Sequence, residues 1–128
     1  MGITHVTATV RDLAKEGVPF EAEFLVDTGA VDCMAPRDSL LAAGVQAEGK
    51  AVYELANGQP IEFEYGFARI EFMGVETVTQ IILGPADAEP ILGVVALENT
   101  GVVVDPVSKT LKRVHAKPLK AVDRPRTR

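Results

Sequence analysis

The stretch "EFLVDTGAVDCM" (residues 23–34) places an ionisable carboxylate directly after three apolar residues. That carboxylate, Asp27, is followed by Thr28, Gly29 and Ala30. A carboxylate at the end of a buried strand costs free energy unless it is paired, hydrogen-bonded or used in chemistry. Asp-Thr-Gly is also an ordinary turn sequence, so the triplet alone is weak support for a site. The surrounding elements must decide between these interpretations.

Length and composition predict one globular domain. The chain has 128 residues, of which 47% are apolar and 24% charged. No stretch approaches the roughly 18 apolar residues that a membrane helix needs. The start of the chain lacks the basic-then-apolar layout of a secretion signal, so we predict a cytoplasmic protein with no membrane partner.

Cysteine and histidine are too scarce to suggest a metal or a disulfide. Cys33 is the single cysteine, and the two histidines, His5 and His115, are far apart in sequence. An internal disulfide is therefore excluded, and we expect neither a metal site nor a cofactor. Cys33 itself is interpreted as a small buried residue.

Charge divides the chain into two parts. Residues 1–111 carry 6 basic and 17 acidic side chains, whereas residues 112–128 carry 7 basic and 1 acidic. We therefore predict a domain over 1–111, followed by a basic strand end and solvated tail over 112–128. Nucleic-acid binding is disfavoured because the body is acidic and the tail has no interleaved aromatic residues.

Period-two alternation predicts a mostly β domain with few helices. An alternation of apolar residues changes phase between Phe67 and Ala68, which predicts a β-bulge near Gly66. Asn57-Gly58 between two strand-like segments predicts a hairpin. Short helices are predicted in "PRDSLLAAG" and "GVVALENTG". Strands are predicted in "THVTATV", "VPFEAEFLV", "AVYEL", "IEFEY", "VETVTQIIL" and "GVVVD".

Three motifs occur in an order that resembles the retropepsin-like aspartic proteases, the single-domain retroviral type. They are Asp27-Thr28-Gly29-Ala30, the hairpin at Asn57-Gly58, and Ile91-Leu92-Gly93, and the resemblance covers roughly residues 3–111. In that family the first motif is the catalytic loop, the hairpin is a flap that closes over substrate, and the third segment threads beside the loop. The resemblance implies a closed β-domain with a flap hairpin and one or two short helices.

The same resemblance implies an aspartic endopeptidase that works as a homodimer on a peptide or protein substrate. Hydrolysis by aspartates needs two carboxyl groups that share one proton, one activating water and the other protonating the carbonyl oxygen. The chain has one Asp-Thr-Gly, so the simplest solution is a two-fold dimer in which each subunit contributes Asp27. The resemblance implies that the catalytic residues are Asp27, Thr28 and Gly29, and that the substrate-binding residues are Ala30, Asn57, Gly58, Ile91, Leu92 and Gly93.

Departures from the family keep a second interpretation open. Retroviral members commonly pair an acidic residue with an arginine at the positions that hold Val31 and Val94 here. Fold alone does not settle function, so a catalytically silent retropepsin-fold module for peptide binding or dimerisation is the alternative. A phosphoaspartyl enzyme is disfavoured because it requires a parallel α/β scaffold and a magnesium site.

Overall fold

A computed structural model describes residues 4–114 of the chain. These residues form nine β-strands and two short α-helices. The prediction of a mostly β domain with one or two short helices is therefore confirmed. In chain order the elements are β1 (His5–Arg11), β2 (Phe20–Val26), β3 (Cys33–Pro36), α1 (Arg37–Ala42), β4 (Gly49–Glu54), β5 (Pro60–Phe72), β6 (Val75–Gly84), β7 (Ile91–Leu92), α2 (Val94–Thr100), β8 (Val102–Val104) and β9 (Leu111–Arg113).

Seven of the strands form one sheet that closes on itself. Their hydrogen-bonded order is β1-β2-β7-β3-β6-β5-β4, and β1 pairs in addition with β5, where Val10 lies opposite Ile70. The additional pairing closes a ring of six strands into a barrel. β4 lies outside this ring and pairs with β5 from Glu54–Pro60 to Gly49–Tyr65. The start of β5 and the whole of β4 therefore form a hairpin attached to the barrel.

The barrel interior is filled by the inward-facing half of each alternating strand. Successive side chains of a strand point to opposite faces, so one face of β1 and one face of β2 are buried while the others meet solvent. Burial of each large apolar side chain contributes about 1.5–3 kcal/mol, which makes the barrel a firm support for the loops at its strand ends. The largest fully buried side chains are Phe24, Phe72, Leu40, Ile70, Ile81, Leu92, Val10, Val45 and Cys33.

Both helices occupy the segments that the sequence predicts. α1 begins directly after Pro36, and the chain leaves it at Gly44, which has a φ of +95°. α2 begins after Gly93 and ends at Gly101, whose φ of +71° is the left-handed conformation that commonly ends helices. No helix within residues 4–114 is long and apolar enough to cross a membrane.

The β4–β5 hairpin carries Asn57 and Gly58 at its tip, as the Asn-Gly pair predicts. The main-chain N–H of Gly58 donates to the carbonyl oxygen of Leu55 at 2.8 Å, which closes the turn. Gly58 has a φ of +85°, a conformation that glycine adopts without steric cost. The Asn57 side chain accepts the N–H of Gln59 at 2.9 Å. Both residues of the pair therefore stabilise the turn.

The prediction of a bulge near Gly66 is wrong. β5 keeps one register against β6, from Glu64 opposite Leu83 to the end of the strand. The change of phase arises because β5 has one environment in the hairpin and another in the barrel, where the opposite face is buried. Gly66 lies at the change, and a Cβ there would lie 2.2 Å from the carbonyl oxygen of Gln46. Glycine is needed here for close approach, without a bulge.

The end of the described chain forms a separate two-stranded sheet. β8 pairs antiparallel with β9, with Val102 opposite Arg113. The Thr4 hydroxyl donates to the carbonyl oxygen of Lys109 at 2.6 Å, which joins the start of the described chain to the turn of this sheet. β9 spans the predicted boundary between 1–111 and 112–128, and the rest of the predicted tail, from residue 115, lies outside the described residues.

Candidate active site

Asp27 follows directly after β2, at the point where that strand lies beside β7. The two strands are parallel, with Leu25 opposite Ile91 and Val26 opposite Leu92. The main-chain N–H of Asp27 extends this ladder by donating to the carbonyl oxygen of Leu92 at 3.1 Å. The apolar segment that precedes Gly93 in sequence therefore fixes the main chain that carries the carboxylate.

The Asp27 side chain is half-buried and is held within its own loop. Its Oδ1 accepts the main-chain N–H of Gly29 at 3.0 Å, while the main-chain carbonyl oxygen of Asp27 accepts the N–H of Ala30 at 3.1 Å. Thr28 and Gly29 are exposed. A Cβ on Gly29 would stand 3.3 Å from Oδ1 of Asp27, so a larger residue would crowd the carboxylate. The loop thus presents an oriented carboxylate at the surface, where it can accept or donate a proton.

Gly93 packs against the main chain that leaves the Asp27 loop. A Cβ at Gly93 would lie 2.5 Å from the carbonyl oxygen of Asp32 and 2.7 Å from that of Val31. The next residue, Val94, donates its N–H to the carbonyl oxygen of Ala30 at 2.8 Å. Only glycine permits this close approach, which fixes the Asp27 loop against the chain between β7 and α2.

The predicted substrate-binding residues lie in two places. Ala30, Ile91, Leu92 and Gly93 surround the Asp27 loop, whereas Asn57 and Gly58 lie at the exposed hairpin tip. The Leu92 side chain is 0% exposed in the core, so this residue reaches the site through its carbonyl oxygen alone. The roles of all six toward a substrate stay predictions.

A network of three polar side chains connects the hairpin to the segment after the Asp27 loop. The Tyr53 hydroxyl donates to Oδ2 of Asp32 at 2.9 Å. The Gln80 side-chain amide donates to the same Oδ2 and to the Tyr53 hydroxyl oxygen, both at 3.2 Å. All three residues are partly buried, and they lie on three separate segments. Together they form the network of Asp32, Tyr53 and Gln80.

The electrostatics of the network favour the donor role of the phenol. Burial raises the pKa of Tyr53, Gln80 opposes that rise, and the hydrogen bond and charge of Asp32 raise the pKa further. The hydroxyl therefore remains protonated around neutral pH and is able to donate to the carboxylate.

One chain supplies one Asp27 carboxylate and no metal cluster in its described part. Within residues 4–114, no group of three or more His, Cys, Asp or Glu side chains is placed to hold a metal ion. The Asp-Thr-Gly triplet also occurs once in the whole sequence. A reaction that needs two such carboxylates thus needs a second copy of the loop from another chain.

Comparison with known proteins identifies the fold. No protein-family model matches the chain, and no curated protein matches it in sequence. Among solved structures, the protease of simian foamy virus aligns with a TM-score of 0.52 at 12% identity, over 73% of this chain and 91% of that chain. The retroviral protease-like domain of Ddi1 from Leishmania major aligns with a TM-score of 0.54 at 12% identity, over 91% of each chain. The chain therefore has a retropepsin-like fold, mostly β with a closed barrel, as the sequence motifs predict.

Sequence reasoning missed the network of Asp32, Tyr53 and Gln80. Asp32 lies in the stretch of residues 23–34 around Asp27, but its sequence neighbours do not indicate its hydrogen-bond partners. Tyr53 and Gln80 look like ordinary members of alternating strands. Asp32 and Gln80 meet because β3 pairs in parallel with β6, which places Cys33 opposite Ile81 and so brings the residues before them together. Tyr53 joins them from β4, which pairs only with β5. Both strands also carry other polar residues, so no sequence signal distinguishes Tyr53 or Gln80.

Proposed function

We propose that the chain is an aspartic endopeptidase that acts as a homodimer, with Asp27 of each subunit in one shared active site. The observation that carries this proposal is the Asp27 loop, in which the main chain is fixed by Leu92 and the carboxylate by the N–H of Gly29. The retropepsin-like fold supports it, since this is a fold of aspartic proteases. We assign the activity to residues 1–111.

The proposed chemistry divides the work between two copies of Asp27. The ionised carboxylate accepts a proton from the attacking water, while the protonated one donates its proton to the peptide carbonyl oxygen. A two-fold axis through the site gives both copies the same surroundings, and one shared proton breaks their equivalence. Thr28 is exposed in the single chain, so its side chain is available to hydrogen-bond across that axis.

An extended peptide is the substrate that this arrangement suits. Exposed Gly29 and half-buried Ala30 allow a peptide main chain to approach the carboxylates closely. The β4–β5 hairpin acts as the flap, with Asn57 and Gly58 at the tip that covers the scissile bond. Closure excludes bulk water from the reacting groups and commits the peptide to hydrolysis.

The decisive test is hydrolysis of an unfolded protein between about pH 4 and 7 by wild type and by Asp27→Asn. The amide is nearly isosteric but cannot take part in proton transfer, so we expect hydrolysis to be lost with fold and dimer intact. Asp38→Asn is the matched control, because Asp38 is an exposed acid in the first turn of α1. Wild-type rates in pure Asp27→Asn protein would exclude this site.

The dimer is tested in the same assay by mixing subunits. Inactive Asp27→Asn subunits should form mixed dimers with wild type and lower its activity below the value that simple dilution gives. Sedimentation of each protein then measures the dimer directly. If wild type dimerises and binds peptide but cleaves nothing, the silent binding module is the correct function.

A further inference from the structure

The network of Asp32, Tyr53 and Gln80 has one firmly fixed side. Asp32 lies where Gly93 packs against its carbonyl oxygen. Gln80 lies on β6, a strand paired along its length with β5 and also paired with β3. Gln80 lies on a barrel strand and Asp32 directly precedes another, so the acceptor and the amide that orient the Tyr53 hydroxyl are held in place independently of the hairpin.

The other side of the network is the hairpin. Tyr53 lies on β4, outside the ring of barrel strands, and its ring contacts Phe63 across the hairpin at 6.2 Å between centroids. Within residues 4–114, the side-chain hydrogen bonds that connect residues 49–62 to the rest of the chain are the two that reach Tyr53, from its hydroxyl to Asp32 and from Gln80. The hairpin tip itself is exposed. At the base of the hairpin, Arg37 of α1 also donates to the Glu64 carboxylate. Nearer the tip, one phenol provides the polar attachment between the hairpin and the segment after the Asp27 loop.

We propose that Tyr53, Asp32 and Gln80 are positioning residues that hold the β4–β5 hairpin toward the Asp27 loop. They set the fraction of molecules in which the hairpin is placed to bind a peptide. The effect on catalysis rests on the proposed function, whereas the restraint on the hairpin is a property of the fold that can be measured without any activity.

The expected size of the effect follows from the worth of one hydrogen bond. A net hydrogen bond changes a conformational equilibrium by roughly two- to tenfold. An apparent dissociation constant rises by the factor by which the competent fraction falls. Loss of the Tyr53 hydroxyl should therefore raise KM by up to about tenfold, with a smaller change in kcat, because Asp27 and its loop are untouched.

The first experiment is amide hydrogen exchange on wild type, Tyr53→Phe and Tyr65→Phe. Tyr65 is the other tyrosine of the chain and lies on β5 of the same hairpin, where none of the described hydrogen bonds joins it to Asp32. We expect faster exchange across residues 49–62 in Tyr53→Phe and no such change in Tyr65→Phe. Equal exchange in all three proteins would overturn the proposal, whether or not the protein is a protease.

The second experiment asks whether Tyr53 acts through Asp32. In an Asp32→Ala background, Tyr53→Phe should cause a smaller rise in exchange and in KM than in wild type, because one of the two hydrogen bonds of the hydroxyl is already gone and only the one from Gln80 remains. Asp32→Asn should restore part of the wild-type behaviour, since the amide oxygen still accepts the phenol. Additive effects of the two substitutions would show that the hydrogen bond is not the link.

A spectroscopic measurement identifies the hydrogen bond itself. In Tyr65→Phe, ultraviolet absorbance follows the titration of Tyr53 alone, and Asp32→Asn in that background should lower its pKa because the carboxylate raises it. No change on Asp32→Asn would exclude the contact. A wild type that cleaves no peptide would refute the proposed function, while exchange and titration would still decide the restraint.

Discussion

Gly93 and Asp32 are in main-chain contact, because a Cβ on Gly93 would stand 2.5 Å from the carbonyl oxygen of Asp32. The same glycine donates its N–H to Sγ of the buried Cys33 at 3.4 Å. Two segments that are far apart in sequence, one after the Asp27 loop and one before α2, therefore interlock at a residue without a side chain. This contact therefore joins the segment that leaves the Asp27 loop to the start of α2.

Replacing Gly93 by alanine should destabilise the fold. The added methyl group would clash with main-chain atoms that cannot rotate away, and overpacking of this kind costs about 1–3 kcal/mol. Gly29→Ala is the control, because its Cβ would meet only a side-chain oxygen, at 3.3 Å. Urea denaturation of both variants measures the free energies of unfolding. Equal stability of Gly93→Ala and wild type would mean that the two segments separate at little cost.

Cys33 should make the protein less stable in alkali. Burial raises the pKa of its thiol from 9.0 to about 11. The unfolded chain thus releases this proton before the folded chain does, and stability that is complete below pH 9 is lost as the pH rises toward 11. A difference of this size corresponds to about 2–3 kcal/mol.

The matched variant for this measurement is Cys33→Ala, followed by urea denaturation at about pH 8 and about pH 10.5. Alanine leaves a small cavity, which lowers stability at both pH values, but it removes the thiol titration. Tyr53, whose pKa is also raised, contributes equally in both proteins. The alkaline loss should therefore be smaller in the variant, and parallel losses would show that the thiol does not titrate as its burial requires.

Peptide hydrolysis should be fastest at mildly acidic pH. The proposed mechanism needs one proton shared by the two Asp27 carboxyl groups, so activity falls when a rising pH removes that proton. The values of kcat/KM from about pH 4 to pH 9 measure the alkaline limb. Because Asp27→Asn gives the background at each pH, a rate that still rises above about pH 8 would count against two carboxylates.

The sequence predicts the long strands and both helices well because their signals are local. Alternation marks the long strands, and Gly44 and Gly101 mark the ends of the two helices. Short β3 lacks enough alternation to be recognised. A change of phase predicts a bulge near Gly66, but phase also changes when one strand passes between two environments, as β5 does.

The candidate site likewise has a part that local sequence indicates and a part that it does not. Asp27 could be found because its loop is one continuous motif, and the structure places Ile91-Leu92-Gly93 beside it. The network of Asp32, Tyr53 and Gln80 could not be found, since it joins single residues from three segments through tertiary pairing. Such contacts depend on strand register, which side-chain pattern alone does not determine between distant segments.

Val31 and Val94 provide a test of the dimer. By the resemblance, retroviral members commonly have an acidic residue and an arginine that pair at the corresponding positions. Here Val94 donates its N–H to the carbonyl oxygen of Ala30, the residue before Val31. The Val31 side chain is 61% exposed in the single chain, so Val31→Asp should change the stability of the isolated fold by less than about 0.5 kcal/mol. In the proposed dimer the same aspartate would become an unpaired charge near the partner. Burying such a charge costs several-fold more free energy than the substitution costs in the isolated subunit.

Val31→Asp should therefore weaken dimerisation by roughly 1–3 kcal/mol while leaving the subunit folded. Val94→Arg alone should cost less, because a long arginine side chain can extend to water. The double variant should recover part of the loss, with a coupling of about 0.5–3 kcal/mol when the two charges contact. Sedimentation equilibrium of the four proteins measures each dimer dissociation constant, and urea denaturation checks the subunit. Strictly additive losses would show that the two positions do not meet, and an unchanged dissociation constant in Val31→Asp would place the interface elsewhere.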